Sequence, residues 1–200
     1  MACEEDSTES AAGLPRSPEL MNRADTALLV IDVQERLLAV IPDGPRIVWN
    51  IRRLLDAAKL LGVAIAATEQ IPSKLGPTVP QLAGRLDPPP AKETFSCASC
   101  GDIFARWRDD GRHRVLLCGV ETHVCVVQTA LDLAAAGFLV YVAVDAVGSR
   151  HELDRDTALR RMEAAGIVLT TTEATLFEWC GRAGTPEFRP LSALAKETPP

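Results

Sequence analysis

The chain lacks an excess of positive charge. Its 200 residues carry 21 Lys and Arg against 27 Asp and Glu, a net charge of −6. Such a field does not draw in a phosphate backbone or an anionic membrane surface, so neither nucleic acid nor membrane is expected as a partner. Long apolar runs are missing too, and no stretch approaches the length of a membrane span. The first twenty residues, MACEEDSTESAAGLPRSPEL, have neither a basic n-region nor an apolar h-region. A secretory signal is therefore not expected, and the expected location is the cytoplasm. No GxGxxG follows a strand and no GxxxxGK[ST] occurs, which excludes the glycine-built phosphate cradles. The pair Cys97 and Cys100 in CASC has no second CxxC or HxxxH at zinc spacing, and the three histidines stand far apart. The six cysteines are expected to be free in a reducing compartment.

What is present is enough apolar residue, 47% of the chain, for one sizeable core. Residues 1–24 are small and polar and read as a disordered lead. The domain is expected over 25–195, with 196–200 as a tail. TALLVID (26–32) and VAIAAT (63–68) are apolar runs of strand length. Between them, apolar residues recur at helical spacing from Ile47 to Leu61, opened by Pro45 and stopped by Gly62. A proline-rich loop with one short helical turn is expected over 69–90. A short strand near 91–94, a helix near Gly101–Asp109 and the strand HRVLLCG (113–119) follow. Then come a helix from about Thr122 to Gly137, a strand over 138–146, a charged helix to Ala165, a strand over 167–171 and a last helix near Glu173. Strands buried on both faces and alternating with helices imply an α/β fold: a three-layer, doubly wound, mainly parallel six-stranded sheet. Ligands of such sheets bind beyond the carboxyl ends of the strands, where the winding reverses. If the fourth strand lies beside the first, Asp32 and the segment GVETHVC meet there.

Three residues in these segments have both a plain and a chemical reading. Cys125, with Thr122 as helix cap, would sit at the third helical position, where amides and helix dipole stabilise a thiolate. It is equally placed as a small packed residue among valines. Asp32, ending an apolar strand, is either a loop-turn or helix-cap residue or a general base. Lys92, beside a proline run, is either a solvated surface residue or a fixed positive charge near a thiol.

The segments ALLVIDVQ, TEQIPSKLGPTVPQL, AKETFSC, LLCGVETHVCVVQTALDLAAAGF, VAVDAVGSR and TTEATLFE resemble, in order, the motifs of the isochorismatase-like hydrolases. This superfamily also holds nicotinamidases and N-carbamoylsarcosine amidases. The resemblance covers residues 24–195 and implies a catalytic triad of Asp32, Lys92 and Cys125. It also implies a cis peptide at Val120–Glu121 and an oxyanion hole from the backbone amides of Glu121 and Cys125. Gln34, Gln70, Phe95 and Glu121 are expected as substrate-binding pocket walls. Nicotinamidases hold a metal through histidines in the segment that here reads TEQIPSKLG, so no metal and no cofactor is expected. The implied activity is cysteine-dependent hydrolysis of a small amide, ureido or carbamoyl-type substrate by a homo-oligomer. The alternative is a catalytically silent oligomer of the same fold acting as an interaction protein.

Overall fold

β1 (Thr26–Ile31) is buried at all six positions, as a strand covered on both faces must be. Its side chains alternate between two cores. Leu28 and Val30 join one cluster, while Ala27, Leu29 and Ile31 join the other. The computed structural model describes residues 14–200. It adds β2 (Ala64–Gln70), β3 (Ala91–Lys92), β4 (Arg114–Val120), β5 (Leu139–Gly148) and β6 (Val168–Thr170) in the order β3-β2-β1-β4-β5-β6. All five pairings are parallel. The sheet winds outward from β1 in one direction and from β4 in the other, and Ile31 pairs with Gly119 where the two strands end.

Two helical layers cover the sheet. On one face α2 (Gly44–Leu61) buries Ile47, Val48, Ile51, Leu54, Leu55, Ala58 and Leu61. Pro45 opens it, and Gly62, in the left-handed region at φ 71°, ends it. α8 (Thr172–Cys180) and α9 (Phe188–Ala195) pack on the same side through Leu176, Trp179 and Leu191. On the other face lie α5 (Gly101–Asp109), α6 (Val127–Ala135) and α7 (Glu152–Ala164), with Phe104, Trp107, Leu133 and Met162 in the core.

Several boundaries differ from the sequence reading. The proline-rich stretch holds two short helices, α3 (Pro72–Leu75) and α4 (Pro80–Ala83), and α1 (Glu35–Leu38) precedes α2. α9 is an addition to the expected order. Of the lead expected over 1–24, residues 1–13 lie outside the described residues, and the rest is docked. Met21 is fully buried, and Arg16 donates to the carbonyls of Met21 and Glu178 at 3.0 and 2.6 Å. The segment 196–200 is also anchored, because Glu197 accepts from Trp49 Nε1 at 3.2 Å and pairs with Arg52.

Candidate active site

Asp32 is the first residue beyond β1. Its φ of 52° lies in the left-handed region, which Asp tolerates better than most side chains. Its amide donates to the Thr68 carbonyl at 3.2 Å. The carboxylate is fully buried and held from two sides: Thr68 Oγ1 donates to Oδ1 at 2.8 Å, and Lys92 Nζ donates to Oδ2 at 2.6 Å. Lys92, on β3, exposes 1% of its side chain. It also reaches Gln70 Oε1 at 2.6 Å and the carbonyls of Phe95 and Thr94 at 3.0 and 3.1 Å. Every acceptor around it is an oxygen, one of them a carboxylate oxygen, and together they fix the amine in place. Lys92 is therefore not a solvated surface residue, nor is Asp32 a helix cap.

β4 delivers the thiol. The Val120–Glu121 peptide is cis, and the chain passes directly into a π-helical turn, Thr122–Val126, ahead of α6. The Glu121 carbonyl accepts from both Val124 and Val126 at 3.1 and 3.2 Å, the wide loop of a π turn. No described carbonyl accepts from the Glu121 amide. Thr122 does not cap the helix as the sequence suggested. The cap position is Glu121, and the Thr122 hydroxyl is buried without a partner. Cys125 is 5% exposed and packs with Cys97, Val126 and Val127. Burial pushes its thiol pKa well up, the neighbouring Asp32 charge pushes it further, and Lys92 opposes them. The thiolate stabilised at rest that the sequence suggested is thus replaced by a resting thiol beside a carboxylate.

The expected triad residues come together, but the expected pocket walls divide. Gln34 is fully buried, with Nε2 donating to the carbonyls of Gln70 and Gly76 at 3.1 and 2.6 Å and Oε1 accepting from the Gln70 amide at 2.7 Å. Both polar ends are used inside the fold, so Gln34 lines no cleft. Gln70 is likewise spent, on Lys92 and on the Glu93 carbonyl at 2.8 Å. These two glutamines orient the lysine. Phe95 keeps an exposed ring, 53% accessible, above a carbonyl that holds Lys92. The Glu121 carboxylate turns toward Arg150, accepting from its amide at 3.0 Å and its Nε at 3.2 Å, and thereby ties the nucleophile turn to the loop after β5. Sequence reasoning missed Thr68, Cys97 and Arg150, because their roles depend on strand register and loop return. Among the described residues no group of three or more His, Cys, Asp or Glu side chains could hold a metal ion. No helix among them is long and apolar enough to cross a membrane.

The doubly wound sheet gathers an acid, an amine and a thiol where its winding reverses, the place where such folds bind their ligands. Residues 26–174 match the isochorismatase domain, and the chain belongs to the isochorismatase family of hydrolases. It is 40% identical over 177 residues to isochorismatase domain-containing protein 2A of Mus musculus, covering 86% of this chain and 84% of that protein. Among solved structures it is similar to the MAR1 ribonuclease of Caenorhabditis elegans, with a TM-score of 0.83 at 39% identity over 90% of this chain and 94% of that one. The YcaC gene product of Escherichia coli, described as an octameric hydrolase of unknown specificity, gives 0.81 at 26% identity over 91% and 93%.

Proposed function

We propose that the protein is a cysteine-dependent hydrolase of a small amide, ureido or carbamoyl-type substrate, acting through a thioester. The observation that carries this reading is the sealed Asp32–Lys92 pair, 2.6 Å apart and shut from bulk water, set beside Cys125. A buried carboxylate paired with a lysine has one strong chemical use here, taking the proton of the adjacent thiol. The Cys125 sulfur then attacks the substrate carbonyl. The amides of Glu121 and Cys125 stabilise the oxyanion, each donor contributing about 3–4 kcal/mol. The amine departs with the proton that Asp32 took, leaving the acyl group on sulfur. A water gives its proton to Asp32, attacks the thioester and releases the acid, and the proton returns to the thiol. Phe95, 53% exposed and carrying one of the carbonyls that hold Lys92, is the pocket wall in this reading and favours a small, partly apolar substrate.

The protein is further read as a cytoplasmic homo-oligomer. Its likeness to an octameric relative supports the assembly, as do the exposed side chains of Leu153 and Val40, 73% and 55% accessible. The five free cysteines among the described residues agree with a reducing compartment. The name of the nematode neighbour does not carry over, because a net charge of −6 gives RNA no electrostatic welcome. The test is a screen of small primary amides, ureas and carbamoyl compounds for ammonia release, repeated with Cys125→Ala on each hit. A hit that loses its rate by orders of magnitude in the variant supports the reading. An undiminished rate, or no hit across the panel, favours the silent oligomer.

A further inference from the structure

The two oxygens of Asp32 face different partners. Oδ2 belongs to Lys92, while Oδ1 accepts from the Thr68 hydroxyl at 2.8 Å. A threonine hydroxyl has one proton, and an ionised carboxylate only accepts, so that proton points at Asp32. Cys97 Sγ lies 3.4 Å from the same hydroxyl oxygen. With the Thr68 proton committed, this contact requires the proton on sulfur, and Cys97 is the donor. Burial, and then the Asp32 charge, keep it a thiol, with its pKa raised to about 11. The Cys97 amide donates to Thr129 Oγ1 on α6 at 2.9 Å, which fixes the backbone that carries the sulfur. Asp32, Thr68 and Cys97 are each at most 1% exposed, so no water competes for these contacts.

We propose that Thr68 and Cys97 are positioning residues that keep the Asp32 carboxylate ionised and aimed, through a directed chain from the Cys97 S–H to the Thr68 O–H to Asp32 Oδ1. The inference rests on the reading of Asp32 as the base for Cys125. Donors to the charged form of a carboxylate lower its proton affinity, and a donor that is itself a hydrogen-bond acceptor is polarised into a stronger one. Without this chain Asp32 Oδ1 would lose its donor in a site shut from bulk water, and the carboxyl would hold more tightly a proton it must pass to the leaving amine. The sequence motif FSC therefore has a task of its own, separate from the thiol of Cys125.

The test is the rate of Cys125 carbamidomethylation by limiting iodoacetamide, read by peptide mapping of the full chain between about pH 3 and 9, where carboxylate and thiol titrations separate. Asp32→Asn should remove the acid limb and the level stretch above it, leaving only the uniform rise with pH of a thiol that reacts as its thiolate. If the limb persists, the base reading fails and the inference goes with it. Where Asp32→Asn does abolish it, Thr68→Val should move the acid limb up by about one pH unit, and Thr68→Ser should restore it. Cys97→Ala should move it the same way by less, and Cys97→Ser should not. A merely structural role would change the rate at every pH and leave the limb in place, and that result overturns the proposal. Should Thr68→Val fail to fold, the Cys97 pair alone settles the matter, with equal behaviour of Ala and Ser counting against the chain.

Discussion

Lys92 and Asp32 are the residues on which the site depends, and their burial makes them costly to separate. Removing one partner of a buried ion pair strands the other charge and destabilises a fold by about 3–5 kcal/mol, whereas removing both costs far less. Lys92→Met should therefore lower stability by that amount, and the double variant Asp32→Asn with Lys92→Met should recover at least half of it. Urea denaturation of the wild type, both single variants and the double variant checks this. Additive losses would mean that the two groups do not share one buried pair. At this scale the sequence was informative about identity and silent about partners. Asp32, Lys92 and Cys125 were visible as polar or nucleophilic residues at the ends of apolar segments. Thr68 was not, since only the register that sets Ile31 against Thr68 brings its hydroxyl to Asp32. Gln34 and Gln70 were read as pocket walls because spacing cannot tell a side chain that faces a cleft from one that braces it.

At the scale of elements, the cleft opens where β1 and β4 end side by side, and Gly119 permits that approach. Its φ is 118°, and a Cβ there would stand 2.1 Å from the Ile31 carbonyl oxygen, a backbone atom with no freedom to yield. Gly137, with φ 89°, would place a Cβ in open space. Both substitutions to Ala bear the cost of a left-handed backbone, about 1 kcal/mol, but only Gly119→Ala adds a steric clash. Thermal unfolding should find Gly119→Ala the more damaging by at least about 2 kcal/mol, and equal losses would deny the close approach its importance. The long strands and α2 were legible because their burial follows apolar runs and helical periodicity. α1, α3 and α4 span four residues each, too short for any period to register. α9 was hidden by the prolines around it, although Leu191 is fully buried and Phe188 and Leu194 pack partly buried against the same core.

Across the whole molecule, three deeply buried thiols tie stability to pH. Cys97, Cys118 and Cys125 all have pKa values raised by burial above the ordinary 9.0. In the unfolded chain they ionise near that ordinary value, while the folded chain holds its protons longer. Stability from these groups is complete below about pH 9 and falls as pH rises, by about 1.4 kcal/mol per pH unit for each thiol. The share of Cys97 levels off near its folded value of about 11. Cys118→Ala removes one of these thiols and should reduce the alkaline slope by about 1.4 kcal/mol per pH unit, whatever it does to stability at neutral pH. An unchanged slope in urea titrations between about pH 9.5 and 10.5 would contradict this.

The most direct measurement of the central claim, that Cys125 is the nucleophile, is the order in which the cysteines react with limiting acrylamide at neutral pH. Exposure alone ranks Cys100 ahead, since it is the least buried of the five described cysteines, while Cys125 is only 5% exposed and resists ionisation at rest. Chemistry ranks them the other way. Under the proposed mechanism the carbonyl of a small primary amide meets the amides of Glu121 and Cys125 while Asp32 takes the thiol proton as carbon bonds to sulfur. Peptide mapping should find Cys125 modified before Cys97, Cys100, Cys118 and Cys180, and Asp32→Asn should abolish that lead. Modification of Cys100 first, with Cys125 untouched and Asp32→Asn without effect, would return Cys125 to the status of a packed core residue.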